Sequence, residues 1–204
     1  MGNDAEGAGP SRVLFSVPII HTQVDMGTLS RSVEKIKIST FGRERVTRSA
    51  RLADKAWETI EKAVEDLPLA YETVRVYQDG LPVCGAETRI VSELAEAGSR
   101  NHKLLMRLQR RGAVLMGTES TELLLEEYNL AVKGLSGGAT NRKLGRTDAD
   151  AQSLLAMRDR FIGARINRTL GPGEMAILFI GMLHAVEPHL DPDIRVVYPV
   201  RTVH

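Results

Sequence analysis

Residues 171–190, GPGEMAILFIGMLHAVEPHL, hold the segment that decides the fold. Gly171, Pro172 and Gly173 break whatever precedes them, Met175–Ile180 is uniformly apolar, and Gly181-Met182-Leu183 then leads to His184. A short apolar run between turn residues reads as a strand buried on both faces, as in a parallel sheet covered by helices. The pattern recurs upstream: Val13–Ile20 runs into His21, Thr73–Tyr77 into Asp79, and Ala113–Met116 into Glu119. Ile194–Val197 supplies a further strand.

Between the strands the periodicity changes to that of helices. Leu52, Ala56, Ile60 and Val64 recur every four residues and predict a helix over Ser49–Leu67, ended by Pro68. Glu87–Ala97 and His102–Arg111 read as two short helices parted by Gly98-Ser99, and Ser120–Lys133 as an amphipathic helix capped by Thr118 or Ser120. Asp148–Leu170, with the stripe Ile162, Ile166 and Leu170, reads as another, and a short helix is expected near His184–Leu190. Alternating strands and helices predict one α/β domain over 13–204: a central, mostly parallel sheet of about four or five strands with helices on both faces. Residues 1–12 are expected to be a disordered tail. GLSGGATNRKLGR, residues 134–146, is expected to form a mobile basic loop.

Composition narrows the function classes. Lys and Arg number 27 against 26 Asp and Glu, so the net charge of +1 offers no field for nucleic acid or an anionic membrane. Aromatic residues make up 4%, too few for a base-stacking platform. No apolar stretch nears the roughly 20 residues of a membrane span, and a single cysteine, Cys84, suits a reducing cytoplasm. No G-x-G-x-x-G follows the first strand and no G-K-[ST] follows the glycines of Ser136-Gly137-Gly138, so nucleotide folds are not indicated.

In parallel sheets ligands bind outside the carboxyl ends of the strands. His21, Asp79, Glu119 and His184 all stand at such ends, and their side chains can ligate a metal or move protons. Each also has a plainer reading: a backbone-bonded loop histidine, the Asp79-Gly80 turn, or a carboxylate favoured in a helix's first turn. Glu126 and Glu127 belong to the solvated helix face, though one can reach inward. Arg158, Arg160 and Arg165 lie on the last helix, in MRDRFIGARINRTL, where a guanidinium can clamp an anion or pair with Asp159 or Glu174.

The order strand–His21, strand–Glu119, arginine-rich helix (RDRFIGARINRTL), strand–Gly181-x-x-His184 resembles the superfamily of erythromycin-esterase-like, haem-uptake-associated and TraB/Tiki-type proteins. In the first motif Pro18-x-x-His21 stands where that group has Gly-x-x-His. The resemblance covers roughly residues 13–200 and implies strand-end histidines working with a glutamate and a helix arginine; the Tiki branch is described as metal-dependent proteases.

The expected function is thus a hydrolase acting on a small molecule or peptide. His21, Glu119 and His184 would hold a divalent metal or organise a catalytic water, with Asp25 and Asp79 as further ligands or histidine-orienting groups. Arg158 or Arg160 would stabilise charge developing on an acyl or phosphoryl centre, and Arg142 and Arg165 would bind substrate. The rival expectation is a non-catalytic protein holding a small anion at the strand ends. A homo-oligomer is also expected, because Leu104, Leu105, Met106 and Leu108 nearly encircle one helix and Leu123, Leu124 and Leu125 stand together on another.

Overall fold

The structure, a computed structural model, describes residues 11–20, 42–136 and 144–200. His21, Asp25 and Arg142, almost all of the expected tail, and the middle of the expected 134–146 loop lie outside the described residues.

Five strands form one all-parallel sheet: β1 (Arg12–Ile19), β2 (Val74–Gln78), β3 (Val114–Met116), β4 (Met175–Gly181) and β5 (Ile194–Val197), in the spatial order β3-β2-β4-β1-β5. Among the described residues the helices are α1 (Arg43–Glu65), α2 (Glu87–Glu96), α3 (Arg100–Arg110), α4 (Thr121–Ser136) and α5 (Leu144–Thr169). No helix among them is long and apolar enough to cross a membrane. The expected α/β class, the parallel sheet and helices on both faces are all present.

The topology sets where a site can lie. From β1 through β2 to β3 the chain travels one way across the sheet; from β3 through β4 to β5 it travels back. Right-handed crossovers put the helices of these two legs on opposite faces. The core agrees. Trp57, Ile60 and Val64 of α1, Val91 of α2 and Leu104, Leu105 and Leu108 of α3 pack with Val76, Ile177 and Phe179 on one face. Ile162, Ile166 and Leu170, on α5 and just beyond it, pack with Leu14, Tyr77, Leu178 and Ile180 on the other. The connection leaving β4 therefore departs to the opposite side from those leaving its neighbours β1 and β2. Crevices open at β4's carboxyl end on both flanks, the position at which open α/β sheets bind ligands.

Several expectations change in detail. α1 starts at Arg43, not Ser49, and Leu52 is 59% exposed while Trp57 is fully buried. A four-residue spacing drifts by about 40° per step around a helix, so Leu52, Ala56, Ile60 and Val64 cannot all face one core. Leu104, Leu105 and Leu108 are covered within the chain by α1, α2 and the sheet, so α3 gives no reason for a partner subunit. Ser120 rather than Thr118 caps α4, its hydroxyl accepting from Leu123 N at 3.3 Å. The helix expected near His184–Leu190 is one 3-10 turn, Glu187–His189, so the β4–β5 connection covers its face thinly. α4 and α5 extend into the expected loop from both sides, to Ser136 and from Leu144.

Candidate functional site

Three of the four strand-end residues come together, and a helix arginine joins them. Asp79 follows β2, Glu119 follows β3, His184 follows β4, and Arg158 reaches over from α5. Gly80, at φ 76°, takes the left-handed conformation that turns the chain just after Asp79. Asp79-Gly80 is thus the turn its composition indicated and part of the site as well. The following segment fastens Glu119: Glu119 N donates to Leu81 O at 3.0 Å, and Val83 N donates to Glu119 O at 2.9 Å.

Arg158 is the centre of the cluster. Its Nε donates to Glu119 Oε2 at 2.5 Å and its Nη2 to Glu119 Oε1 at 2.7 Å, the parallel fork that a guanidinium makes with a carboxylate. Nη2 also donates to Asp79 Oδ1 at 2.9 Å, and Nη1 to Glu127 Oε1 at 2.6 Å. Backbone donors complete both acids: Gly80 N reaches Glu119 Oε1 at 2.6 Å and Gly181 N reaches Asp79 Oδ2 at 2.9 Å. Gly181 does not take a positive φ. Its contribution is that N–H, with the turn closed by His184 N donating to Gly181 O at 3.1 Å.

His184 continues the chain of contacts. Its Nδ1 lies 2.5 Å from Asp159 Oδ1, and Asp159 Oδ2 accepts from Ala185 N at 2.9 Å, which fixes the carboxylate from two sides. Its Nε2 lies 3.5 Å from Asp79 Oδ1. The side chains of Asp79, Glu119, Arg158, Asp159 and His184 are all at most 6% exposed, whereas Glu127 is 52% exposed and marks the solvent end.

Burial and charge pull the acidities in opposite directions. Burial pushes the Glu119 carboxyl above its usual range, with Asp79 adding to the rise, although Arg158 opposes it. Burial works against the charge on His184, but Asp79 and Asp159 outweigh it and hold the imidazolium above its ordinary value of 6.5. Burial likewise opposes Arg158, while Glu119, Glu127 and Asp79 more than compensate and keep it cationic. The cluster holds four carboxyl groups against one guanidinium and one imidazole.

The described members of the expected ligand set, Asp79, Glu119 and His184, do not by themselves fit a divalent metal. Both oxygens of Glu119 and one of Asp79 face the guanidinium, the other Asp79 oxygen accepts from Gly181 N, and Nδ1 of His184 faces Asp159. A fixed cation stands where these ligands would have to converge. Among the described residues no group of three His, Cys, Asp or Glu side chains is placed to hold an ion.

The other expected residues stand apart. Arg160 is exposed on α5 and does not join the cluster. Arg165 donates through Nε to Gly117 O at 3.0 Å, tying α5 to the chain after β3. Arg158 has its Nε and both Nη nitrogens donating to carboxylates, so it braces acids and does not reach out to an oxyanion. Glu174 pairs with Arg75 at 2.6 Å and not with an α5 arginine. Asp159 was not singled out as a site residue, yet a signal existed. It shares the buried stripe of Ile162, Ile166 and Leu170, at spacings of three and four, where a lone carboxylate is out of place.

Beside His184 lies a cavity of about 700 Å³, over β1, β4 and β5. Compared with known proteins, the chain matches no family model, no curated protein and no solved structure.

Proposed function

We propose that this protein is a hydrolase in which His184 activates water by general acid–base catalysis. The supporting observation is the position of one imidazole: held by Asp159 on one side, facing Asp79 on the other, and lining a cavity at the carboxyl end of a parallel sheet. Asp159 is the positioning residue. It selects the ring orientation through Nδ1 and stabilises the imidazolium formed when the ring takes a proton from water. Arg158 keeps Asp79 and Glu119 in place and partly neutralised. Its release from those carboxylates would cost too much for it to serve as a substrate clamp.

Buried titratable groups with displaced acidities in a cleft are the usual composition of an acid–base site. The surplus of negative charge disfavours the rival, an anion-binding protein, because an anion would enter a site with more carboxyl groups than cations. A panel of chromogenic carboxylic and phosphate esters tests the reading. Turnover is expected, with kcat/KM falling by about 10²–10⁴ in His184→Ala, the range for a lost acid–base group, while the far-ultraviolet spectrum is unchanged. Equal turnover by the well-folded variant would remove His184 from the chemistry. Ligand-induced thermal stabilisation with no turnover at all would favour the binding-protein rival.

A further inference from the structure

The cavity at His184 has walls of a distinctive kind, and they restrict the substrate. Leu14, Leu178, Ile180 and Val196 belong to its sheet side, and Val186 and Leu190 to the thin β4–β5 connection. The cavity exists because that connection supplies one 3-10 turn where the other crossovers supply full helices. Ser16, His184, Glu187 and Tyr198 are the lining residues with polar side chains, and no lysine or arginine lines it among the described residues. Tyr198 donates to Glu187 Oε2 at 2.5 Å, an exposed pair. Its volume falls within the range of about 300–1,000 Å³ typical of small-molecule sites.

We infer that the site takes a substrate whose uncharged, apolar acyl group lodges in this cavity with its carbonyl carbon at His184, so that the bond cut is a carboxylic ester and not a phosphate ester. The inference rests on the reading of His184 as a hydrolytic base. Charge selects against the alternatives. A phosphate ester brings negative charge to Asp79, Glu119 and Asp159, and the nearby guanidinium already serves two of those acids. Among the described lining residues Glu187 is the one carboxylate, and it already accepts from Tyr198 at the exposed rim, so a cationic substrate would place its charge among leucine, isoleucine and valine side chains at a cost. An apolar acyl chain meets neither penalty.

The chemistry balances with water as the only co-reactant. The water oxygen bonds to the acyl carbon while one of its protons passes to the imidazole of His184. The bond from that carbon to the alcohol oxygen then breaks, the same proton passes from the imidazole to the departing oxygen, and a carboxylic acid and an alcohol leave.

The test uses the full chain with p-nitrophenyl esters from acetyl to decanoyl, p-nitrophenyl phosphate, and octanamide as a neutral binding probe. Ester hydrolysis is expected, with kcat/KM rising by about two- to fourfold per methylene until the cavity is full, as burial of each CH₂ implies. The phosphate is expected to be inert, and Val196→Phe to lower the preferred chain length. Phosphate cleavage that needs His184, or ester cleavage indifferent to chain length, would overturn the substrate inference and leave the hydrolase reading standing. Absence of all turnover would overturn the hydrolase reading instead. The cavity is then judged by octanamide: a raised Tm in the native protein that Val196→Phe abolishes upholds an apolar ligand site, and an unchanged Tm removes it too. If Val196→Phe does not fold, the chain-length series on the native protein decides.

Discussion

Two buried arginines stand at opposite edges of the same sheet, and they do different work. At the amino edge, Arg12 opens β1 and donates to Asp191 at 2.9 Å, to Asp193 at 2.6 and 2.8 Å, and to the carbonyls of Asn167 and Leu170. Its carboxylate partners are about half exposed, so solvent shares their charge. At the carboxyl edge, Arg158 meets Asp79 and Glu119, whose side chains are 3% and 1% exposed. The first arrangement fastens a strand to the end of α5 and to the chain before β5. The second confines surplus acid beside an imidazole, which is a poor way to stabilise a fold, since burying ion pairs often costs more than it returns. The contrast is the reason to read the carboxyl edge as functional.

The largest expected effect follows from that contrast. Arg158→Met strands Glu119 and Asp79 without their cation and should cost about 3–5 kcal/mol of unfolding stability, the usual loss for one partner of a buried pair. Arg158→Lys should recover little of it, because an ammonium cannot reproduce the fork to Glu119. Arg12→Met should cost less, about 1–3 kcal/mol, since Asp191 and Asp193 can rehydrate. Denaturant titration of the three variants measures this directly. Equal losses at the two edges would break the comparison.

The edges should also answer pH with opposite signs. Glu119 and His184 both have folded values above their ordinary 4.5 and 6.5. For a group raised on folding, its stabilisation is complete below the unfolded value and is lost as pH rises through the folded one. The carboxyl edge therefore loses stability as pH climbs above 4.5 for Glu119 and above 6.5 for His184. At the amino edge Arg12 holds Asp193 below its ordinary 3.8, and Arg75 holds Glu174 below its ordinary 4.5. Their stabilisation is complete above those values and is lost as pH falls through the lower folded ones. Unfolding midpoints are expected to decline from pH 5 to pH 8, and Glu119→Gln with His184→Asn should flatten the decline. A midpoint that rises over this window in the native protein would contradict it.

How far this was legible in the chain depends on the kind of signal. The strands could be read because each is a short apolar run stopped by a polar residue, and the sheet's topology then brings Asp79, Glu119 and His184 to one edge. Their convergence needs no side-chain detail. What joins them does. Arg158 sits in MRDR, where alternating charge looks like a solvated face, and only the three-dimensional path of α5 turns that arginine toward the carboxylates. Among the described residues it is this guanidinium that Asp79 and Glu119 meet, where the sequence leads to the expectation of a metal. Asp79, expected as a ligand or a histidine-orienting group, faces Nε2 of His184 at 3.5 Å, while Nδ1 is held by Asp159, one position from Arg158. Leu104, Leu105 and Leu108 looked two-sided in one helix, and the covering surfaces of α1, α2 and the sheet belong to distant segments that no local pattern displays.

A smaller effect concerns Asp159. Asp159→Asn removes one of the groups that raise the His184 value; if the proposed hydrolysis is found, its rise with pH should begin at lower pH than in the native protein, with kcat reduced. A simple structural role for Asp159 would lower the amount of folded enzyme without moving that limb. Rescue of the limb's position by Asp159→Glu would strengthen the assignment, since the charge is restored while the reach changes.

The smallest effects come from two residues one step outside the cluster. Glu127 meets Arg158 at 2.6 Å but is 52% exposed, so water competes for both its oxygens. Glu127→Gln should therefore cost about 0–1 kcal/mol, the range for solvent-facing pairs, and should leave the pH decline intact. Arg160→Ala, exposed on α5 and separate from the cluster, should fall within about 0.5 kcal/mol of the native protein. The two together locate the boundary of the site. If Glu127→Gln proved as damaging as Arg158→Met, the guanidinium would be held chiefly from its solvent end, and the buried fork to Glu119 could not be the contact that organises the carboxyl edge.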